Sequence, residues 1–351
     1  MTSKQNKIIG FNPNNLAMSD TNIFGLPFNE DESEIVILSL PWDVTVSYND
    51  GTANGPEAIF EASKQVDLFD ASVNNAWKIG LFMLPVNLNW KEVSDFTRPK
   101  ARRIIEDLEN NSGNEHSSTL LAEVNDICAN FHKEVEDAAL RILKNNKIVV
   151  GLGGDHSTPY GIIKALTFKH ESFAILQFDA HCDLREAYEG FLFSHASIMY
   201  NVLKDIPQVS KLVQIGIRDF CEEESDFISN SEGRVVTFFD RYIKQQSYIG
   251  KTFNDFTIEV IATLPEKVYI SFDIDALDPK LCPNTGTPVA GGLELEQVYY
   301  MIEEIVKAGK IIISADINEV SPSLNSDWDA NVGARLLYRL SNLIALSNKL
   351  A

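Results

Sequence analysis

Eight short segments stand out along the chain, each rich in Ile, Val and Phe and each about one strand long. They are EIVILSL (34–40), WKIGLFM (77–83), KIVVG (147–151), FAILQF (173–178), KLVQIGI (211–217), RVVTFF (234–239), KVYISF (267–272) and KIIISAD (310–316). Most are apolar almost without interruption, as strands covered on both faces are. Between many of them lie stretches with helical periodicity, such as 120–145 and 294–308. Alternating β and α elements predict an α/β fold, a mostly parallel sheet with helices on both faces. The polar stretch 108–118 reads as a loop or insertion, and the wider segment, about 88–118, as a possible insertion or loop. No linker divides residues 1–351, so one domain is expected.

In such a fold, sites form at the C-terminal ends of the strands. Four of the predicted strands end in unusual chemistry. KIVVG runs into GLGGDHS (151–157) with Asp155 and His156. FAILQF runs into DAHCD (179–183), and KVYISF into DIDALDP (273–279). KIIISAD runs into INEVSP (317–322) with Glu319. Alternate spacing at a strand end puts Asp179, His181 and Asp183 on one side, and likewise Asp273 and Asp275. Carboxylates crowded together in a protein interior repel strongly, so a positive partner is required. Four aspartates carry about −4 and two divalent cations +4, which fits a two-metal site. His156 and His181 complete the donor set as neutral imidazoles. Mostly oxygen with two nitrogens favours manganese over a structural zinc, while nickel, cobalt and iron fit the same logic. GLGGD lacks the spacing of a phosphate-cradling loop.

Composition adds boundaries. The net charge of −20 argues against nucleic acid or an anionic membrane as partner and suits a cationic substrate or metal ions. Cys128, Cys182, Cys221 and Cys282 lie far apart with no CxxC pair, a pattern of reduced thiols. No apolar span of transmembrane length and no signal-peptide pattern is present, so a cytoplasmic location is expected. His116, His132 and His170 lie in polar or helical contexts and read as surface groups.

GGDHS (153–157), DAHCD (179–183) and SFDIDALDP (271–279), in that order, resemble the motifs of the ureohydrolase family: arginase, agmatinase and formimidoylglutamase. YNDGTANGPEAI (48–59), TGTPVAGGL (285–293) and EVSP (319–322) extend the resemblance over about residues 40–340. It implies a three-layer αβα domain around an eight-stranded parallel sheet and two manganese ions per subunit. One ion would be held by His156, Asp179, Asp183 and Asp273, the other by His181, Asp179, Asp273 and Asp275, with Asp179 and Asp273 bridging. His195 in FLFSHAS matches the family's proton-shuttling histidine, and Glu319 the glutamate that pairs with the guanidinium. Trimers or hexamers are implied as the assembly.

The chain departs from the family pattern in places. Glu294 replaces a threonine, and the first loop motif lacks its common arginine. DLREAYEGFLFSHA (183–196) resembles agmatinases, which implies a small cationic guanidino substrate, agmatine, with Glu186 or Glu189 attracting its tail amine. Formimidoylglutamase stays open, with Arg185 as a carboxylate partner, as do arginase, guanidinobutyrase and a non-catalytic metal-binding regulator on the same scaffold.

Overall fold

The computed structural model describes residues 2–18, 20–113 and 115–350, with the side chain of His116 outside the description. Its elements, in chain order, are α1 (Ser3–Gly10), β1 (Ile35–Leu40), α2 (Gly55–Ser63), β2 (Leu81–Met83), α3 (Leu88–Glu109), α4 (Glu115–Lys144), β3 (Ile148–Gly153), α5 (Tyr160–Leu166), β4 (Phe173–Phe178), α6 (Ile198–Asp205), β5 (Val209–Ile215), α7 (Glu222–Ser229), β6 (Val235–Phe238), α8 (Asp240–Tyr248), α9 (Phe253–Thr263), β7 (Lys267–Asp273), α10 (Leu295–Lys307), β8 (Ile311–Asn318) and α11 (Trp328–Ser347). All eight expected strands form. The second is shorter than read: Ala76–Ile79 is a 3₁₀ turn, and only Leu81–Met83 pairs.

The strands make one sheet in the order β2-β1-β3-β8-β7-β4-β5-β6, and every pairing is parallel. Two-residue alternation divides the core into two layers. Ile35, Val150, Leu176, Ile270 and Ile317 face one, packed by α2, α10 and α11. Val36, Val149, Ile175, Tyr269 and Ile313 face the other, packed by α3, α4, α5 and α6. The result is the three-layer αβα arrangement. Chain direction across the sheet reverses around β3, β8, β7 and β4, so the four motif-bearing strands are neighbours and their C-terminal ends share one crevice.

The segment 88–118 is not a loop. Leu88–Glu109 is helix, and a second helix begins at Glu115, because α3 buries Trp90, Ala101, Ile104 and Ile105 on one face. The charged outer face and an internal Pro99 disguised that period. His132 is not a surface group either: it is 3% exposed, against Phe131, Tyr160 and Phe193. Burial pushes its imidazole down to about 3, so it is neutral. His170 is half-buried, and the reading of His116 lies outside the described residues. All four cysteines are unpaired, and no helix among the described residues is long and apolar enough to cross a membrane.

Candidate metal centre and active site

Strand β3 leaves the sheet through a gap that only glycine fits. A Cβ on Gly154 would lie 1.9 Å from the Trp42 carbonyl oxygen, and one on Gly153 2.0 Å from Asn318 Oδ1. The chain then delivers Asp155 and His156 into the crevice. The His156 ring is oriented from behind: Nε2 is 2.9 Å from Ser271 Oγ, and that hydroxyl donates to Asp316 Oδ1 at 3.1 Å. With the serine proton committed to Asp316, Ser271 accepts from Nε2–H, so Nδ1 is the ring atom turned to the carboxylates. Nδ1 faces Oδ2 of Asp179, Asp183 and Asp273 at 2.9, 3.0 and 3.3 Å.

The end of β4 supplies Asp179 and His181. Asp179 Oδ1 accepts the His181 backbone N–H at 2.6 Å, and Oδ2 accepts Gln177 Nε2 at 2.8 Å. Two residues on, Asp183 adopts a left-handed backbone, φ +55°, a strained conformation of the kind that collects at functional sites. Its carbonyl is held by the N–H groups of Met199 and Tyr200 at the start of α6. From β7, Asp273 accepts the Asp275 N–H at 2.9 Å, and Asp275 Oδ1 accepts Ala180 N–H at 3.0 Å. Asp275 Oδ2 is 3.0 Å from His181 Nδ1.

Two groups of converging donors result, His156–Asp179–Asp183 and Asp179–His181–Asp275, each with its ligand atoms within 4.8 Å of one another. Asp179 belongs to both, as expected of a bridge. Asp273 turns Oδ2 toward the first group, while its Oδ1 is engaged by Asp275 N–H. The residues fit a pair of divalent cations for a physical reason visible in the chain itself. His156 Nδ1 and Asp275 Oδ2 are buried without hydrogen-bond partners. Burial, then the charge of Asp179, pushes Asp183 up to about 7. Burial with Asp275 and Asp179 raises Asp273 well above the usual carboxylate range. Burial alone would lower His181, but Asp275 and Asp179 override it and push it up to about 12. Protons thus hold together a cluster that cations would hold better.

Glu319 follows β8 with φ +63°. Its Oε1 accepts the His156 N–H at 2.9 Å, and Gly286 leaves room against Oε2. Burial, then nearby charges led by Asp275, pushes it up to about 8. His195 lies close by, with Nδ1 3.6 Å from Glu319 Oε1 and Nε2 3.1 Å from Ser47 Oγ. Burial lowers its pKa, so the ring is neutral near pH 7.

A cavity of about 490 Å³ opens over these groups, lined by His181, Asp183, His195 and Asp273 and, further out, by Tyr48, Arg185, Tyr188, Asp219, Phe220 and Glu224. Arg185 lies on the Tyr188 ring, 4.6 Å from guanidinium carbon to centroid, and 3.8 Å from Glu224. Glu186 is not in the cavity; it is exposed and 3.8 Å from Lys204. Glu189 is half-buried behind the wall, with φ +56°. Glu294 does not line the cavity either: it precedes α10 and pairs with Lys280. Ser47, Asp219 and Glu224 were not singled out from the sequence. The strand-end rule applied to β5 points to Asp219; Ser47 carries no signal of its own.

The likeness to known proteins agrees with this geometry. The chain is 30% identical over 318 residues to the N(1)-aminopropylagmatine ureohydrolase of Thermus thermophilus, covering 90% of this chain and 92% of that protein. It is 28% identical over 309 residues to the agmatinase of Bacillus cereus, covering 88% and 91%. The solved agmatine ureohydrolase of Thermoplasma volcanium shares the fold with a TM-score of 0.70 at 22% identity, covering 95% of this chain and 97% of that one. The arginase family model matches residues 33–341, and the chain therefore belongs to the arginase family, binuclear metal-dependent hydrolases of amidine C–N bonds.

Proposed function

We propose that the protein hydrolyses agmatine to putrescine and urea with two manganese ions bound. The observation that carries this reading is the meeting of residues from both donor groups with His195 at one cavity, with Glu319 3.6 Å from His195 beneath it. The bound cations would supply a hydroxide nucleophile near neutral pH. Glu319, with one oxygen fixed by His156 N–H, holds the guanidinium with the other and sets its carbon over the metal pair. His195, neutral at rest, takes up a proton from solvent and passes it on to the leaving amine, and Ser47 fixes its ring.

The outer wall supports a cationic tail. Arg185 has Glu224 beside it, which offsets its charge. Asp219 lines the same cavity with no ion pair among the described residues, and Tyr48 and Phe220 line it too. A carboxylate with aromatic faces attracts an ammonium group. The exposed position of Asp219 also suits a longer, aminopropyl-extended agmatine, the second reading. The test is kcat/KM for agmatine, N(1)-aminopropylagmatine, arginine, 4-guanidinobutyrate and formimidoylglutamate on manganese-loaded protein, scoring urea for the first four and formamide for the last. A tenfold advantage for formimidoylglutamate or guanidinobutyrate overturns the cationic-tail reading and turns attention to Arg185.

A further inference from the structure

One residue from each of β4, β5 and β6 forms a polar row beneath the metal centre. Gln177 pairs in register with Gln214, and Gln214 with Thr237. All three lie on the same face of the sheet, between apolar neighbours that face the opposite layer. Thr237 Oγ1 donates to Gln214 Oε1 at 2.7 Å. Gln214 Nε2 donates to Gln177 Oε1 at 2.7 Å and to the Cys182 carbonyl at 2.8 Å. Gln177 Nε2 donates to Asp179 Oδ2 at 2.8 Å and reaches the His181 carbonyl at 3.4 Å. Both glutamines are fully buried.

The direction of this chain is forced. The carbonyl of Cys182 can only accept, so the amide nitrogen of Gln214 must face it. That turns Gln214 Oε1 toward the threonine hydroxyl, and its second N–H toward Gln177 Oε1. Gln177 then has no choice but to present its nitrogen to Asp179. A flipped amide at either glutamine would set oxygen against oxygen at two contacts in a dry interior, where an unmade hydrogen bond is costly. Meanwhile Oδ1 of Asp179 is held by the His181 N–H. Each carboxylate oxygen thus has one fixed donor, and the plane of the carboxylate is set so that Oδ2 faces the His156 group and Oδ1 the His181 group.

We infer that Gln177, Gln214 and Thr237 are positioning residues that fix the bridging carboxylate of Asp179 and thereby the affinity of the metal pair. The inference rests on the two-metal reading. Outer-shell partners of this kind are typically worth about 10–100-fold in metal affinity. Thr237 is the informative member, because it touches no metal ligand and its hydroxyl is isosteric with a methyl group.

The experiment measures manganese and cobalt affinity of the full chain by competition with a chromophoric chelator, alongside thermal melting of the metal-free form. The parent should bind two equivalents. Gln177→Leu should weaken binding by about 10–100-fold. Thr237→Val should weaken it less but measurably, and Thr237→Ser should restore the parental affinity, with the cobalt absorption bands shifting in Thr237→Val only. Should Thr237→Val lower the melting temperature of the metal-free protein while leaving affinity and cobalt spectrum unchanged, the row is merely structural and the inference is overturned. A parent that binds no metal overturns the two-metal reading and the inference with it; a parent that binds two equivalents beside an unaffected Gln177→Leu overturns the inference alone.

Discussion

The backbone N–H of His181 donates to Oδ1 of Asp179 at 2.6 Å, so the third residue of the motif holds open the ligand geometry of the first. Oδ2 is left for the His156 side, 2.9 Å from Nδ1. One carboxylate is therefore divided between two donor groups. Asp179→Asn replaces one of those oxygens with an N–H₂ that cannot ligate. It should bind less than one equivalent of metal where the parent binds two. Metal analysis after gel filtration checks this, and two equivalents in the variant would show that Asp179 does not bridge.

Metal affinity should climb with pH. In the metal-free protein, carboxylates hold protons on His156, raised well above its ordinary value, and on His181. Asp183 keeps its own up to about 7. Cations must displace these protons, so binding should release them. Calorimetry in buffers of different ionisation enthalpy would count them; a pH-independent affinity between pH 6 and about 8 would contradict the proton-filled cluster.

The stability of the metal-free protein should run the other way. Asp155, Asp183 and Glu319 are raised to about 7, 7 and 8 in the folded chain, each chiefly by burial. Unfolded, these groups lose their protons near pH 4. The resulting stability is complete below about pH 4 and is lost as pH rises through 7 to 8. Asp179, held low by His156 and His181, opposes this in part. The chelated protein should thus melt at lower temperature at pH 8 than at pH 6. The metal-loaded form should show a smaller drop, because cations take over the role of the protons.

His195→Ala should keep both metals and lower kcat by about 10²–10⁴-fold, the usual worth of a general acid–base group. Ser47→Ala removes only the contact to Nε2; a single neutral hydrogen bond is worth about 0.5–1.5 kcal/mol, so the loss should stay within roughly tenfold. Parental turnover in His195→Ala would assign the position a packing role.

Substrate selection should separate into two effects. Glu319→Gln should weaken all guanidino substrates together, by the about 2–5 kcal/mol of a desolvated charge pair. Asp219→Asn should raise KM for agmatine by no more than roughly fivefold, the limit for an exposed pair of about 0–1 kcal/mol. It should leave 4-guanidinobutyrate, whose tail is anionic, unharmed. Glu186→Gln and Glu294→Thr lie outside the cavity and should leave kcat/KM unchanged; an effect at Glu186 equal to that at Asp219 would misplace the tail site.

The sequence by itself determined the eight strands, their parallel pairing and the strand-end placement of His156, Asp179, His181, Asp183, Asp273, Asp275 and Glu319. Apolar runs and two-residue spacing are local properties, and burying both faces of a strand leaves its mark on every residue. It could not show that α3 is helical, because the charged face and Pro99 of that helix hide a period that appears only against its packing partner. Nor could it place the acidic side chains after DAHCD. Glu186 and Glu189 are three residues apart, yet one pairs with Lys204 at the surface and the other lies half-buried behind the wall. Left-handed residues at Ala187 and Glu189 redirect the chain there, and long-range contacts decide such turns. The tertiary structure alone brought Ser47 to His195 across 148 residues and aligned Gln177, Gln214 and Thr237 in one row, because register between strands is set by the packing of the whole sheet and not by any one segment.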